Sequence, residues 1–264
     1  MKLTDYIPAI SRKILVYGAP KTGKTDFVGQ LAKTKKLWWF DLEDGIKTLV
    51  HSPRMTPEMI SNIELFKIPD TQIFPIAART LLKVIKGLPV KICEAHGAAG
   101  CPVCERNAAA ATTISLKDFT NNDVLVIDSV SQLASSAMND IQKKVIEADK
   151  FDAKPDWDDY ANQGRIMDRI FSILQQAPFN VVAISHEQLV EMEDGKKKLV
   201  PIGGTSQFSK TFAKYFDDIV YAEKVNGKHK FATSSTYSNS IVLGSRAGKE
   251  LDKMESPSIL ELFK

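Results

Sequence analysis

The chain has 264 residues, 44% of them apolar and 25% charged, and its 35 Lys plus Arg against 32 Asp plus Glu give a formal net charge of +3. These values exclude an intrinsically disordered chain and a disulfide-held miniprotein, because a chain of this length can bury a sizeable core by itself. So small a positive excess also excludes a uniformly basic coat for polyanions, and any nucleic-acid contact must come from a local cluster of cations.

The three cysteines, Cys93, Cys101 and Cys104, fall close together, which suits a metal in a reducing compartment better than a disulfide framework. No apolar run reaches the roughly 18 residues that a membrane span needs. The start, Met1-Lys2-Leu3-Thr4-Asp5-Tyr6, lacks a signal-peptide core, so the expectation is a soluble, cytoplasmic protein without membrane contact.

In chain order, the apolar run at 13–17 reads as a buried strand, followed by a Gly/Pro/Lys-rich turn and a helix from Lys24 to about Lys33. A second strand at 37–40 ends in the acidic Asp41-Leu42-Glu43-Asp44-Gly45, and a third is expected at 63–68. A helix from about Phe74 to Lys86 follows, with Pro75 near its first turn. Residues 88–118 break the rhythm and read as an insertion. A buried strand at 124–128 then leads into a helix over 131–148, a polar loop over 149–159, a helix over 160–176 and a strand at 180–185. Beyond it the pattern predicts a hairpin around Asp194-Gly195, a Gly203-Gly204 loop, a helix to about Tyr215, and strands at 218–223 and 240–243. Strands alternating with helices imply a parallel sheet covered on both faces.

Gly18-Ala19-Pro20-Lys21-Thr22-Gly23-Lys24-Thr25 satisfies the phosphate-loop pattern G-x4-G-K-S/T at every required position. The glycines let successive N–H groups curl toward a phosphate, Lys24 reaches the outer phosphates of ATP, and Thr25 holds Mg2+. Asp128, closing an apolar strand, has the form of the acid that fixes the magnesium water shell, although Asp128 and Ser129 also stand where a helix cap would.

In the insertion, Cys93-x2-His96-x4-Cys101-x2-Cys104 offers three thiolates and an imidazole in two close pairs. That is the donor set of a closed, structural Zn2+ site; three unrelated thiols and a histidine are the alternative.

Val126-Ile127-Asp128-Ser129-Val130 resembles the second nucleotide motif of the RecA family, and Trp39-Phe40-Asp41-Leu42-Glu43 resembles that family's strand ending in D-x-E. The resemblance implies that Glu43 polarises the attacking water, against the plainer reading of an acidic surface turn. It also implies that His186, after Ile184-Ser185, senses the γ-phosphate, although better-known members carry Gln there and a strand-end cap is the alternative. The segment 187–210 resembles the family's mobile second DNA-binding loop. Lys196, Lys197, Lys198, Phe208 and Lys210 are its candidate contacts to single-stranded DNA, unless the three lysines simply solvate a hairpin tip. Arg246 and Lys249 are candidates for reaching a neighbouring subunit, with a surface salt bridge as the alternative, and Phe74-Pro75-Ile76-Ala77 has the form of a subunit-recruiting motif but is assigned to core packing.

The expected fold is therefore α/β: a RecA-like P-loop NTPase core with a mainly parallel sheet flanked by helices. It forms one ATPase domain over 1–264, with a small zinc-binding insertion at 88–118. The compact core is similar to the bacteriophage family of AAA-type ATP-binding proteins, some of which act in single-strand annealing recombination. That resemblance implies a DNA-stimulated ATPase acting as a homo-oligomeric ring or filament, with single-stranded DNA and a single-stranded DNA-binding protein as partners, in the cytoplasm of a bacterial host. An ATP-switched loader with little turnover is the alternative. A small-molecule kinase is disfavoured by the D-x-E and Asp-Ser motifs and by the lack of an Arg-rich lid.

Overall fold

The computed structural model describes residues 11–68, 70–88, 90–93, 98, 99, 111–148 and 153–264. Its centre is a run of parallel strands: β1 (Lys13–Tyr17), β2 (Lys36–Asp41), β3 (Ile63–Lys67), β7 (Asp123–Asp128), β8 (Asn180–Ser185) and β11 (Asp218–Val225), laid side by side in the order β11-β1-β8-β7-β2-β3. The antiparallel β12 (Lys228–Ala232) continues the sheet beyond β11 and β13 (Gly244–Ser245) also pairs with β11, while β5 (Ala98–Ala99), β4 (Lys91–Cys93) and β6 (Ala111–Thr113) extend it beyond β3.

Every side chain of β1 and β8 is buried, as expected of strands covered on both faces. Alternation along each strand divides those side chains between two cores. Leu15, Leu125, Ile127, Val181 and Ala183 pack with α4 (Ala77–Ile85), α5 (Val130–Ile141) and α7 (Trp157–Gln175). Their neighbours Ile14, Val16, Val124, Val126 and Val182 pack with α1 (Lys24–Gly29) and the C-terminal turn Ile259–Phe263. The short α2 (Lys47–Val50) and α3 (Pro57–Ser61) place Leu49 and Met59 in this second core.

Several elements differ from expectation for local reasons. The helix expected at 131–148 is two, α5 and α6 (Lys143–Glu147), separated at Gln142. α7 starts three residues early because Asp156 accepts from Asp159 N–H and Asp159 returns a bond to Asp156 N–H, a reciprocal cap. α4 starts at Ala77, three residues later than expected, where Asp70 Oδ1 receives the N–H groups of Ile76 (2.7 Å) and Ala77 (2.9 Å). Ala77 is buried in the core, in accord with core packing for Phe74-Pro75-Ile76-Ala77.

The strand expected at 240–243 is absent; that segment lies along β10 (Lys197–Pro201) through a single bridge between Ile241 and Leu199. The flanks of the 88–118 segment are part of the main core, to which Val90, Ile114, Leu116 and Phe119 contribute. The expected hairpin forms from β9 (Glu187–Glu191) and β10, and α8 (Ser206–Thr211) follows it.

Candidate nucleotide-binding site

The C-terminal ends of four contiguous strands, β1, β8, β7 and β2, lie on one edge of the sheet and carry the phosphate loop, His186, Asp128 and Glu43 in that order. Parallel sheets of this kind bind ligands at that edge. All four groups line one cavity of about 640 Å3, together with Pro20, Lys21 and Thr25.

The phosphate loop turns out of β1 at Gly18, where a Cβ would stand 2.0 Å from the Ala222 carbonyl oxygen of β11, so only glycine permits this approach. Inside the loop, Lys21 and Gly23 have φ of 64° and 86°, and Thr22 Oγ1 donates to the Ala19 carbonyl at 2.8 Å. Lys24 Nζ is buried and donates to the carbonyls of Gly18 (2.9 Å) and Ala19 (2.8 Å). Burial pulls its pKa down to about 8, against the opposing pull of Asp128, Glu43 and Glu187. Both partners are neutral acceptors, so a phosphate offers the ammonium a better one.

Asp128 is fully enclosed, and burial pushes its carboxyl up to about 7, with Asp41 and Glu43 adding repulsion. Thr25 Oγ1 donates to Asp128 Oδ2 at 3.2 Å, and the following Asp128–Ser129 peptide is cis. The Thr25 hydroxyl beside the enclosed Asp128 carboxylate is an oxygen donor set suited to a hard divalent cation, so Mg2+ fits at Thr25 and Asp128. The cap of α5 is Ser129, which accepts from Gln132 N–H at 3.2 Å and leaves Asp128 to the cavity.

Glu43 is gripped from two sides, by Ser129 Oγ, which donates to Oε1, and by His186 Nε2, 3.2 Å from Oε2. Partial burial alone would raise its pKa. The bonds from His186 and Ser129 and the nearby Lys24 outweigh that and hold the carboxyl below its ordinary range, so it is ionised at neutral pH. Asp41, two residues earlier, is buried and accepts from Gly45 N–H at 2.8 Å and Ile46 N–H at 3.4 Å, which shapes the turn that presents Glu43.

His186 is bonded onward through its main chain. Its N–H donates to Ser131 Oγ (2.9 Å) and its carbonyl accepts from Ile202 N–H (2.9 Å), while the buried Ser185 Oγ donates to the Ile202 carbonyl (2.7 Å). Ile202 directly follows β10, so the cavity and the β9–β10 hairpin share hydrogen bonds.

The candidate DNA residues divide between the β9–β10 hairpin and α8. Lys196 pairs with Asp194 at 3.3 Å, and Lys197 stands opposite Glu191 across the hairpin. Lys210 is half-buried in α8. Phe208 requires correction as a base-stacking residue: it is buried in an aromatic cluster with Phe212 and Tyr215, because α8 turns that ring into the core. Arg246 is bound to Asp217 of its own chain at 3.1 Å, near the opposite edge of the sheet, and Lys249 contributes its carbonyl to Thr233 Oγ1 at 2.5 Å. Of the zinc candidates, Cys93 is buried at the end of β4, whereas His96, Cys101 and Cys104 lie outside the described residues. Among the described residues no group of three or more His, Cys, Asp or Glu is arranged to hold a metal ion.

Sequence reasoning passes over several contributors to this cavity. Ser129 is marked by the Asp-Ser motif and as a cap, but nothing in the sequence signals its bond to Glu43. Asp26, with Ser52 Oγ at 2.5 Å and an ion pair to Arg54, closes the far wall and has no motif to mark it. His229 reaches the phosphate loop from β12. The signal for that strand is the Asn226-Gly227 turn, a strong hairpin marker.

A comparison with curated proteins finds no match. Among solved structures, one described as an ATPase domain is similar to this chain at 14% identity, over 91% of this chain and 79% of that one, with a TM-score of 0.41. A family model described as "AAA domain" matches residues 10–243, and the chain accordingly belongs to the AAA-domain family and is a P-loop ATPase.

Proposed function

We propose that the chain couples ATP hydrolysis to binding of single-stranded DNA, as a homo-oligomeric ring or filament that promotes annealing or strand exchange for a bacteriophage in its host's cytoplasm. The observation that carries this reading is the bonded path from Glu43 to His186 and on to Ile202. In it the loop Gly18-Ala19-Pro20-Lys21-Thr22-Gly23-Lys24-Thr25 holds the phosphates and Lys24 offsets their charge. Thr25 and Asp128 hold Mg2+, which when bound neutralises charge on the phosphate oxygens.

Glu43 orients and deprotonates the attacking water, held at Oε1 by Ser129, while His186 holds Oε2 only until phosphate arrives. One N–H serves one acceptor. A γ-phosphate that draws the His186 N–H releases Glu43 toward water, and the same movement is carried by Ser185 and Ile202 into the β9–β10 hairpin with Lys196, Lys197 and Lys198. A placed carboxylate base favours turnover over the loader reading, in which ATP acts only as a switch.

On their spacing, Cys93, His96, Cys101 and Cys104 are proposed as a structural Zn2+ set that holds the insertion together. A single-stranded DNA-binding protein is the proposed protein partner.

The test is ATP turnover with and without single-stranded DNA, on protein whose metal content has been measured in reductant without chelator. We expect DNA to raise turnover severalfold, Lys24→Ala to abolish it, and zinc to be stoichiometric. Turnover indifferent to DNA, with tight nucleotide retention, would establish the loader instead. Parent-like hydrolysis by Lys24→Ala refutes the site, and metal near zero refutes the zinc set.

A further inference from the structure

We infer that His229, outside every motif in the chain, is a positioning residue for nucleotide binding: it fixes the Thr22–Gly23 peptide of the phosphate loop from the neighbouring β-hairpin. His229 Nδ1 lies 2.9 Å from the Thr22 carbonyl oxygen. A carbonyl can only accept, so Nδ1 carries the hydrogen. The Thr22–Gly23 peptide is planar and trans, so a carbonyl held toward the hairpin turns the Gly23 N–H the opposite way. Phosphate loops bind anions with such main-chain N–H groups, and an N–H that is already aimed need not be ordered when the phosphate arrives.

The arm that carries the imidazole is well anchored. Phe231, on the same face of β12 two residues on, stacks on Phe27 of α1 with ring centroids 3.8 Å apart and planes 14° apart, and both rings are buried. β12 pairs with β11, which pairs with β1. The hairpin is thus fastened to the strand before the loop and to the helix after it, and its tight Asn226-Gly227 turn, with φ of 50° and 79°, leaves it little slack. Gly23 accommodates the ring: a Cβ there would stand 2.9 Å from His229 Nδ1.

This inference rests on the phosphate loop alone and not on the DNA reading, so the two fail separately. The experiment is an equilibrium titration with a fluorescent ATP analogue, alongside steady-state kinetics, on three variants. His229→Ala removes ring and donor, His229→Phe keeps a ring without the donor, and His229→Asn places an amide N–H where Nδ1 stood. Loss of one hydrogen bond that orders the site should weaken ATP binding about tenfold in the Ala and Phe variants. KM should rise in the same proportion with kcat within about twofold, the pattern of uniform binding. The Asn variant should bind within about twofold of the parent. Parent-like binding by His229→Ala or His229→Phe overturns the inference, as does an Asn variant as weak as Ala, since either result removes the donor from the explanation.

Discussion

Lys13 begins the strand that ends in the phosphate loop, and its ammonium is buried at the opposite edge of the sheet, where it donates to the carbonyls of Ala177 (3.0 Å) and Phe179 (2.8 Å). These contacts pin β1 to the turn that leads into β8, the strand carrying His186. Burial lowers the pKa of Lys13 from its ordinary 10.5 to about 8, with Asp217 pulling the other way. Between those two values the unfolded chain holds a proton that the folded chain has released, so stability rises with pH. From about pH 7.5 to about pH 9.5 this one group adds about 2 kcal/mol. Lys13→Met lacks that gain. Near pH 7.5 it also escapes about 3 kcal/mol of charge-burial cost while forfeiting about 1 kcal/mol for each carbonyl left without its donor. The variant should therefore equal or slightly exceed the parent near pH 7.5 and fall behind by a further ~2 kcal/mol near pH 9.5. Urea unfolding of both proteins across this range measures the difference, in which the tyrosines and other lysines common to both cancel. Parallel stability profiles would refute the claim that the folded chain holds Lys13 with a depressed pKa.

Two further substitutions probe the site. Glu43→Gln keeps the side chain's size and one of its two acceptor oxygens but loses its negative charge, so ATP should still bind while turnover falls by about a hundred- to ten-thousandfold, read by single-turnover hydrolysis beside nucleotide titration. Gly18→Ala sets a Cβ 2.0 Å from the Ala222 carbonyl oxygen, a backbone atom with no rotamer by which to yield. About 3 kcal/mol of stability should be lost, lowering the melting temperature by roughly 5–10 °C, and ATP affinity should fall with it; unchanged melting would show that β11 moves aside.

The parts of the site that were legible in the sequence are those whose chemistry is local. Gly18 to Thr25 make one turn, so their spacing alone identifies them, and the apolar runs that became β1, β7 and β8 are short and bounded. Asp128, Glu43 and His186 were recognisable one at a time, each at the end of a strand, but their meeting depends on strand order. β8 lies between β1 and β7, and that arrangement brings His186 within 3.2 Å of Glu43 across 143 positions of sequence. Phe208 shows the opposite limit. An aromatic residue near glycines and lysines suits stacking on bases, yet the helical phase that turns it toward Phe212 and Tyr215 is set by Thr205, whose side chain accepts from Phe208 N–H at 3.1 Å and starts α8 there. The late strand at 240–243 failed because Ile241 found one partner in Leu199 and no second ladder position.

The two hairpins at the nucleotide edge touch the site at different places. β9–β10 meets it at Ile202 and His186, on the side of Glu43, the proposed base, whereas β11–β12 meets it at Thr22, within the phosphate loop. On the proposed mechanism, a disturbance of the first should act on whether Glu43 is free to use water, an interaction that differs between ground and transition state, and so should show in kcat. A disturbance of the second acts on how well the loop is ordered before phosphate arrives, which is common to both states and belongs in KM. Ser185→Ala, which removes the hydroxyl bonded to the Ile202 and His186 carbonyls, and His229→Phe should consequently change different constants although both remove a side-chain donor to the main chain. Changes in the same constant would mean that the hairpins act on the site as one body.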